Sequence, residues 1–369
     1  MNKKIYKGAI VGCGIISKFH AMAYSNVENV ELKAVCDINI NNANKLAKAY
    51  TVSNVYTDYK KLFAEENLDF VEILTPHTQR LDIINEAARK NININLQKVP
   101  AVSIQEFDEI KKIVKTNNII LRVFENFRYY EPYIFAKDLI DKGVIGSVEN
   151  INIKKYGGSR NYMDKDIVQG LNAAKWRMTE KENYKHPTLF DDGYHKHSII
   201  EYFLGEPIEK LRAWCGYKEV IPGIKLDSPA DIQYFTKSNK LGTFQTINID
   251  IRVENNFYSC DEVIDIVGSK GLIMIFGGHG ELFTKAHESK IKKGVYWLNT
   301  KYKWQFSDQM NMDIRNSFTV GLTEFIKLLD ETTNVKFNLV DAENSLRMGL
   351  AIVESLRNGF GFVYTKDMK

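Results

Sequence analysis

The sequence predicts an α/β protein: an N-terminal Rossmann-type, doubly wound parallel sheet plus a C-terminal α+β domain with a large, mostly antiparallel open sheet. Three observations carry that expectation. Through residue 125, short apolar runs alternate with longer segments whose apolar residues recur every three or four positions, the pattern of strands wound with helices. A glycine-rich turn joins the first run to the first such segment. After Phe124 the pattern changes to long alternating stretches separated by turn residues, as antiparallel strands require. The length agrees, because at about 150 residues per domain a chain of 369 needs more than one core. The expected division is 1–125 for nucleotide binding and 126–369 for substrate binding and oligomerisation.

In chain order, the expected strands of the first domain are 7–11, 31–36, a short one near Val55, 70–74, 92–96 and 119–124. The helices between them are 17–27, 41–50, 59–66, 79–90 and 103–116. Asp58 and Ser103 stand where an N-cap side chain accepts from the first helical turn, and Glu106, three residues after Ser103, completes a capping box. In the second domain, 131–142 reads as a helix stopped by Gly143, followed by strands at 147–156, 232–236, 242–251, 258–267 and 271–275. Turns are expected at Ser269-Lys270-Gly271 and Gly277-Gly278. A helix at 192–204, stopped by Gly205, interrupts the strands, and helices at 317–329 and 342–358 close the chain.

Composition removes several classes of function. Hydrophobic residues make up 44% and charged residues 26%, which suits a packed globular protein rather than a disordered or fibrous one. Fifty basic residues against 46 acidic ones leave a net charge of +4, with no basic block of the kind that follows a phosphate backbone, so no nucleic acid partner is expected. No apolar run approaches the roughly 20 residues that span a bilayer, and the first residues enter a strand pattern without a signal-peptide core. A cytoplasmic protein without a membrane partner is the expectation. Cys13, Cys36, Cys215 and Cys260 form no CxxC pair, which fits reduced thiols better than a disulfide or zinc framework.

The strongest local motif is Gly12-Cys13-Gly14-Ile15-Ile16-Ser17, a GxGxxG pattern with serine in the third position, set between the first strand and the first helix. Gly12 permits the tight turn. Gly14, without a side chain, lets a pyrophosphate approach the amides at the helix N-terminus, and Ser17 is small enough for close helix packing. The second strand ends at Asp37, 23 residues after Gly14, near the offset of the acid that binds the adenosine ribose hydroxyls. A 2′-phosphate would meet that carboxylate, and no arginine follows before residue 80, so NAD is expected rather than NADP. A ligand-free turn would look the same locally; the acid and the β-α alternation favour the dinucleotide. Cys13 reads as a small turn residue rather than a reactive thiol.

In doubly wound sheets the ligand crevice lies beyond the carboxyl ends of the strands. Thr75-Pro76-His77 follows the fourth strand there, and Gln97-Lys98-Val99-Pro100 the fifth. Lys98 could orient a substrate hydroxyl and take part in proton transfer, although a solvated loop lysine has the same local sequence. A second cluster is Asp191-Asp192-Gly193-Tyr194-His195-Lys196-His197. Asp191 and His195 are four positions apart and share a face on a helix, so the carboxylate could fix the imidazole tautomer of a base that serves an alcohol oxidation. An N-cap aspartate beside a structural histidine is the plainer alternative. His186, His195 and His197 lie close in sequence, but His195 and His197 point to different faces of a helix, so no metal site is expected.

Taken in order, these motifs resemble the glucose-fructose oxidoreductase and inositol dehydrogenase (Gfo/Idh/MocA) family over essentially the whole chain. Gly12 to Ser17 with His20 is similar to that family's opening, and Thr75-Pro76 followed by Asn95-Leu96-Gln97-Lys98 to its segment ending in a Glu-Lys-Pro motif. Asn126-Phe127-Arg128-Tyr129, Trp176-Arg177, Asp191-x-Gly193-x-His195 and Gly268-Ser269-Lys270-Gly271 resemble further family segments. The resemblance implies a dehydrogenase that moves a hydride between NAD and a ring hydroxyl of a sugar, cyclitol or sugar derivative, and a homodimer or homotetramer. It implies that His195 is the general base, Asp191 its orienting acid and Lys98 a hydrogen-bond partner of a substrate hydroxyl. Gly12, Cys13, Gly14, Ile15, Ile16, Asp37, Thr75, Pro76, His77, Gln97, Lys98, Trp176 and Arg177 would line the cofactor. Arg128, Tyr129 and Tyr162 would join Lys98, Asp191 and His195 around the substrate. The chain departs from the family where the motif acid is Gln97, where the proline after the lysine is displaced to Pro100, and where Ser198 replaces an aspartate after the histidine. A substrate other than inositol itself is therefore expected. Two other readings accompany this one: retained NAD serving glycoside hydrolysis or epimerisation through transient oxidation, and a non-catalytic nucleotide-binding regulator.

Overall fold

The computed structural model describes residues 4–158, 175–221, 224–249, 252–253, 256–257, 260–277, 292–300, 303–330 and 336–369. The chain forms two compact units, Met1–Tyr129 with Arg315–Glu343 and Tyr130–Ile314 with Asn344–Lys369.

In the first unit the strands are β1 (Tyr6–Val11), β2 (Val30–Cys36), β3 (Asn54–Tyr56), β4 (Phe70–Ile73), β5 (Asn93–Gln97) and β6 (Leu121–Phe124). They form one parallel sheet in the order β3-β2-β1-β4-β5-β6, which reverses direction between β1 and β4. Between them run α1 (Ser17–Ser25), α2 (Ile40–Tyr50), α3 (Tyr59–Glu65), α4 (Arg80–Arg89) and α5 (Ile104–Asn117). The expected caps form. Asp58 accepts from the Lys60 amide, and Ser103 accepts from the Glu106 amide while Glu106 reaches back to the amide of Val102. These local signals fix where helices start because each satisfies an amide that has no partner within the helix.

The segment 315–343, grouped with the second domain on sequence, packs with the first unit. Its helix (Asn316–Leu329) buries Phe318, Leu322, Phe325 and Ile326, spaced at helical period, against α1. Phe318 meets Phe19, His20 and Phe124 with ring centroids 5.1–5.5 Å apart. The amphipathic pattern in the sequence shows that this helix hides a face; which partner receives it depends on tertiary packing.

The second unit contains α6 (Glu131–Asp141), α7 (Gly193–Leu204) and a nine-stranded sheet. Its strands are β7 (Val148–Gly158), β8 (Ile208–Cys215), β9 (Ala230–Thr236), β10 (Leu241–Ile249), β11 (Cys260–Gly268), β12 (Gly271–Phe276), β13 (Gly294–Leu298), β14 (Trp304–Ser307) and β15 (Val363–Tyr364). The order is β14-β13-β12-β11-β7-β10-β9-β8-β15, antiparallel except for the β7–β10 pair. Burial alternates along β8 and β9, and α6 and α7 pack on one face. On the opposite face Trp214, Ile247, Val267 and Trp304 are exposed. Gly205 ends α7 at φ +73°, a left-handed conformation that glycine adopts without strain. No helix among the described residues is long and apolar enough to cross a membrane.

Candidate active site

In the first unit the expected cofactor residues all lie at or just beyond the carboxyl ends of strands: residues 12–16 after β1, Asp37 after β2, 75–77 after β4, and Gln97 and Lys98 at the end of β5. Because the sheet is parallel, these ends share one edge. Gly12 has φ +101°, and a Cβ there would lie 2.9 Å from backbone atoms of Leu74 and Thr75, so the turn requires glycine. A Cβ on Gly14 would meet no heavy atom within 4 Å. The space over the loop is open at the position where a pyrophosphate must approach. The Ser17 hydroxyl donates to the Gly14 carbonyl at 2.6 Å and is itself buried, which seats α1 close to the sheet.

Asp37 accepts the Cys13 amide on one oxygen at 2.7 Å and the Asn39 amide on the other at 2.8 Å. The carboxylate thus ties the end of β2 to the glycine loop. Burial and the neighbouring Asp37 push the Cys13 thiol up to about 12, so it fills space as a protonated group. Cys36 is pushed up to about 12 by the same two causes. Thr75 Oγ1, at the end of β4, is buried without a hydrogen-bond partner. An open position over Gly14, an orphaned hydroxyl and a carboxylate on one edge fit a dinucleotide.

Lys98 is partly exposed, and its peptide bond to Val99 is cis. Its amide donates to the side-chain oxygen of Gln97 at 2.8 Å. Buried Arg80 donates to the carbonyls of Thr75, Gln97, Lys98 and Val99, so one guanidinium joins the turn after β4 to the turn after β5. Behind them, three adjacent strands each carry one buried polar residue in register, Glu72 on β4, Asn95 on β5 and Arg122 on β6. Asn95 donates to Glu72 at 2.5 Å and accepts from Arg122 at 2.9 and 3.1 Å. His20 of α1 lies between Glu72 and Gln97, at 3.1 and 3.0 Å. Tyr129 belongs to this interior: it is 2% exposed, stacks on Phe124, and its hydroxyl takes a hydrogen bond from Arg122. Arg128 is also buried, with its guanidinium over the Phe337 ring.

In the second unit, Asp191 does not begin on α7. It lies in a π-helical turn, Pro187–Asp192, and α7 starts at Gly193, so the expected four-residue spacing on one regular helix does not describe the segment. Arg177 braces this turn, donating to Asp191 at 2.7 Å and to Asp192 at 2.7 Å. Lys155 lies 3.9 Å from Asp192. The Trp176 carbonyl accepts from Thr179, which caps the next short helix. Asp227, fully buried, accepts the amides of Thr188 and Leu189 at 2.8 and 2.7 Å and so fastens the start of the turn. His197 is buried, paired with the Tyr234 hydroxyl at 2.8 Å and the Leu189 carbonyl at 3.0 Å. Of the five described histidines, His195 alone is not buried. Tyr162 lies outside the described residues.

Arg80, Glu72, Arg122 and Asp227 were not singled out from sequence, and Asn95 only as part of the segment that leads to Lys98. A signal existed for Glu72 and Arg122, since a charge inside an apolar buried strand requires a partner. Arg80 and Asp227 carried none, because their partners are main-chain groups brought close only by the fold.

The chain matches the Gfo/Idh/MocA models along most of its length: the oxidoreductase family with an NAD-binding Rossmann fold over residues 6–125, and the family's C-terminal domain over residues 133–274. It is 25% identical over 281 residues to a D-apiose dehydrogenase of Rhizobium rhizogenes, covering 76% of each chain. It is 23% identical over 319 residues to an inositol 2-dehydrogenase of Salmonella typhimurium, covering 85% of this chain and 84% of the relative. An oxidoreductase of Agrobacterium radiobacter, solved with NAD+, L-tartaric acid and magnesium, superposes with a TM-score of 0.80 at 20% identity over 98% of each chain and so shares the fold.

Proposed function

The chain belongs to the Gfo/Idh/MocA oxidoreductase family, and from that premise we propose that it is an NAD-dependent dehydrogenase acting on a ring hydroxyl of a sugar, cyclitol or sugar derivative. The observation that carries the reading is the edge of the first sheet, where the open position over Gly14, Asp37 and the orphaned Thr75 hydroxyl lie together. NAD held there supplies the hydride acceptor. Asp37 receives the adenosine ribose hydroxyls and, being negative, disfavours a 2′-phosphate. Residues 75–77, Gln97 and Lys98 contribute the remaining wall on this unit, and Trp176 and Arg177 are further candidates on the other. Relatives named for D-apiose and inositol support the class of substrate.

His195 acts as general base towards the substrate hydroxyl, the role its exposure permits and that of the buried His197 does not. Asp191, braced by Arg177, sets the electrostatics of the turn that precedes it. Lys98 hydrogen-bonds the reacting or a neighbouring hydroxyl. Arg128 and Tyr129, buried beside Phe337 and Phe124, are candidates for the wall of the substrate pocket rather than reacting groups. The exposed apolar residues on one face of the large sheet support a homodimer or homotetramer, which light scattering in solution tests. The direct test of the function is NADH formation from NAD across a panel of sugars and polyols. Turnover on a member of the panel is the expected result, and NAD binding with no turnover on any would overturn it.

A further inference from the structure

The hydrogen bonds around His20 have a single consistent assignment. The Lys98 amide can only donate, so the atom of Gln97 that faces it is the side-chain oxygen, and the Gln97 nitrogen must face His20. That nitrogen is a donor, so His20 Nε2 has to accept. On the other side of the ring, Glu72 accepts, so Nδ1 carries the proton. We infer that Gln97 and Glu72 hold His20 as the neutral Nδ1–H tautomer, and that this buried Glu72–His20–Gln97 relay is the device that positions the main chain at Lys98.

Charge balance gives the same answer independently. His20, Glu72, Asn95 and Arg122 are each no more than 2% exposed. Glu72 and Arg122, bridged by Asn95, cancel, and buried Arg80 beside Gln97 donates to main-chain carbonyls, so a cationic His20 would add to the interior a further positive charge that this cluster does not compensate. The titratable or charged groups around the ring are few. Glu72 faces it from β4, and Arg122 on β6 reaches the cluster through Asn95. Tyr24, on the same helix, stands beside Glu72 and is kept protonated by burial. Arg80, on α4, reaches the carbonyl of Gln97, and Phe124 and Phe318 meet the ring edge-on.

The family motif that this segment resembles has glutamate where this chain has Gln97. In this chain a carboxylate at 97 could bond Nε2 only if His20 carried both protons, and the cluster would then balance with two carboxylates against two cations. In this chain the acid that bonds the ring is Glu72, one strand away on β4, and a neutral amide stands beside Lys98. Gln97 and Glu72 are therefore positioning residues: they act on the Lys98 turn through a hydrogen bond to its amide, whatever the lysine amine does.

The consequence for turnover rests on the proposed role of Lys98, but the state of the imidazole does not, so the two can fail separately. Nitrogen NMR of the His20 ring in the wild-type protein at neutral pH should show one protonated nitrogen, Nδ1, and one bare nitrogen, Nε2. A doubly protonated ring, or a proton on Nε2 alone, would overturn the assignment. In Q97E the ring should become doubly protonated at the same pH, and a ring that stays neutral would count against the relay. The wild-type spectrum needs no substitution, so the inference remains testable if Q97E fails to fold. With any substrate that gives turnover, Q97E should lose activity as pH rises through the ionisation of His20, by roughly tenfold or more, because the hydrogen bond needs a proton the ring then lacks. A pH profile parallel to that of the wild type, with a doubly protonated ring, would remove the positioning role.

Discussion

The two units hold their candidate site residues in different ways. In the first, the candidate groups are largely main-chain atoms at strand ends, held by side chains: half-buried Asp37 on the glycine loop, and buried Arg80 on two turns and Gln97 on the amide of Lys98. In the second, the groups of interest are the side chains of Asp191 and His195, on a turn and helix fastened by Asp227, which lies 39 residues beyond Thr188 in the chain. Chemistry that relies on main-chain amides leaves a mark in the sequence as glycines at fixed spacing. Chemistry that relies on side chains set by distant contacts leaves only the residue types. The first arrangement should therefore govern binding of the nucleotide, and the second should govern turnover.

The sharpest test of that contrast separates the two effects. His195→Ala should lower kcat by about 10²- to 10⁴-fold, the usual contribution of a positioned general base, and leave the Kd for NAD within a factor of about two. Lys98→Ala should lower kcat strongly as well, again with little change in NAD affinity, because Lys98, although in the first unit, is proposed to act through its side chain on the substrate and not through a main-chain amide on the nucleotide. Stopped-flow turnover with fluorescence titration of NAD reads both quantities. Near wild-type turnover in either variant would remove that residue from the chemistry, and a parallel loss of NAD affinity in His195→Ala would break the division between the units.

The units should also respond differently to pH. In the first, the Cys13 and Cys36 thiols are pushed up to about 12 and do not titrate under ordinary conditions. In the second, burial pushes Asp227 up from 3.8 to about 6, against the lowering effect of the Thr188 and Leu189 bonds, and pushes His186, 3.8 Å away, down from 6.5 to about 4. A carboxyl raised in the fold contributes stability that is whole below pH 3.8 and is lost as pH rises through about 6. An imidazole lowered in the fold contributes stability that is whole above pH 6.5 and is lost as pH falls through about 4. Each shift is worth roughly 3 kcal/mol, and the two slopes oppose each other in one window. Asp227→Asn should leave a stability that rises by about 2–3 kcal/mol across that window, and His186→Gln one that falls by a similar amount, measured by urea denaturation at stepped pH. Identical pH profiles for both variants and the wild type would show that neither group is perturbed by the fold.

The same contrast decides how much could be read from the sequence. The six parallel strands, the Asp58 and Ser103 caps and the glycine loop were legible because each depends on a few adjacent residues. β8, β13, β14 and β15 were not identified. In β8 the apolar positions Leu211, Ala213 and Cys215 are offset from Ile208 by Glu209-Lys210, and the register with β9 shifts near that end. The pairing of the 315–343 segment with α1 was hidden because periodicity records a buried face and not its partner. At the site, Gly12, Gly14 and Asp37 were legible, whereas the π-helical turn under Asp191 depends on Asp227 and Arg177, whose roles exist only after folding.

Asp37 offers the finest test, because one role seen in the structure and one proposed for it meet in the same carboxylate, and sequence spacing cannot separate them. Both of its oxygens accept main-chain amides, so removing the carboxylate strands the Cys13 amide inside the glycine loop as well as deleting the proposed acceptor for ribose. If ordering the loop were its only contribution, Asp37→Ala would weaken NAD and NADP by the same factor. If the carboxylate also meets the ribose hydroxyls, NAD should lose about tenfold in affinity, as expected for a hydrogen bond to a charged group, while NADP loses less because its 2′-phosphate no longer faces a negative charge. The ratio of the two dissociation constants, measured by calorimetry on one preparation, cancels the loop effect common to both. A shift of that ratio towards NADP is the expected outcome, and an unchanged ratio would assign Asp37 to the loop alone.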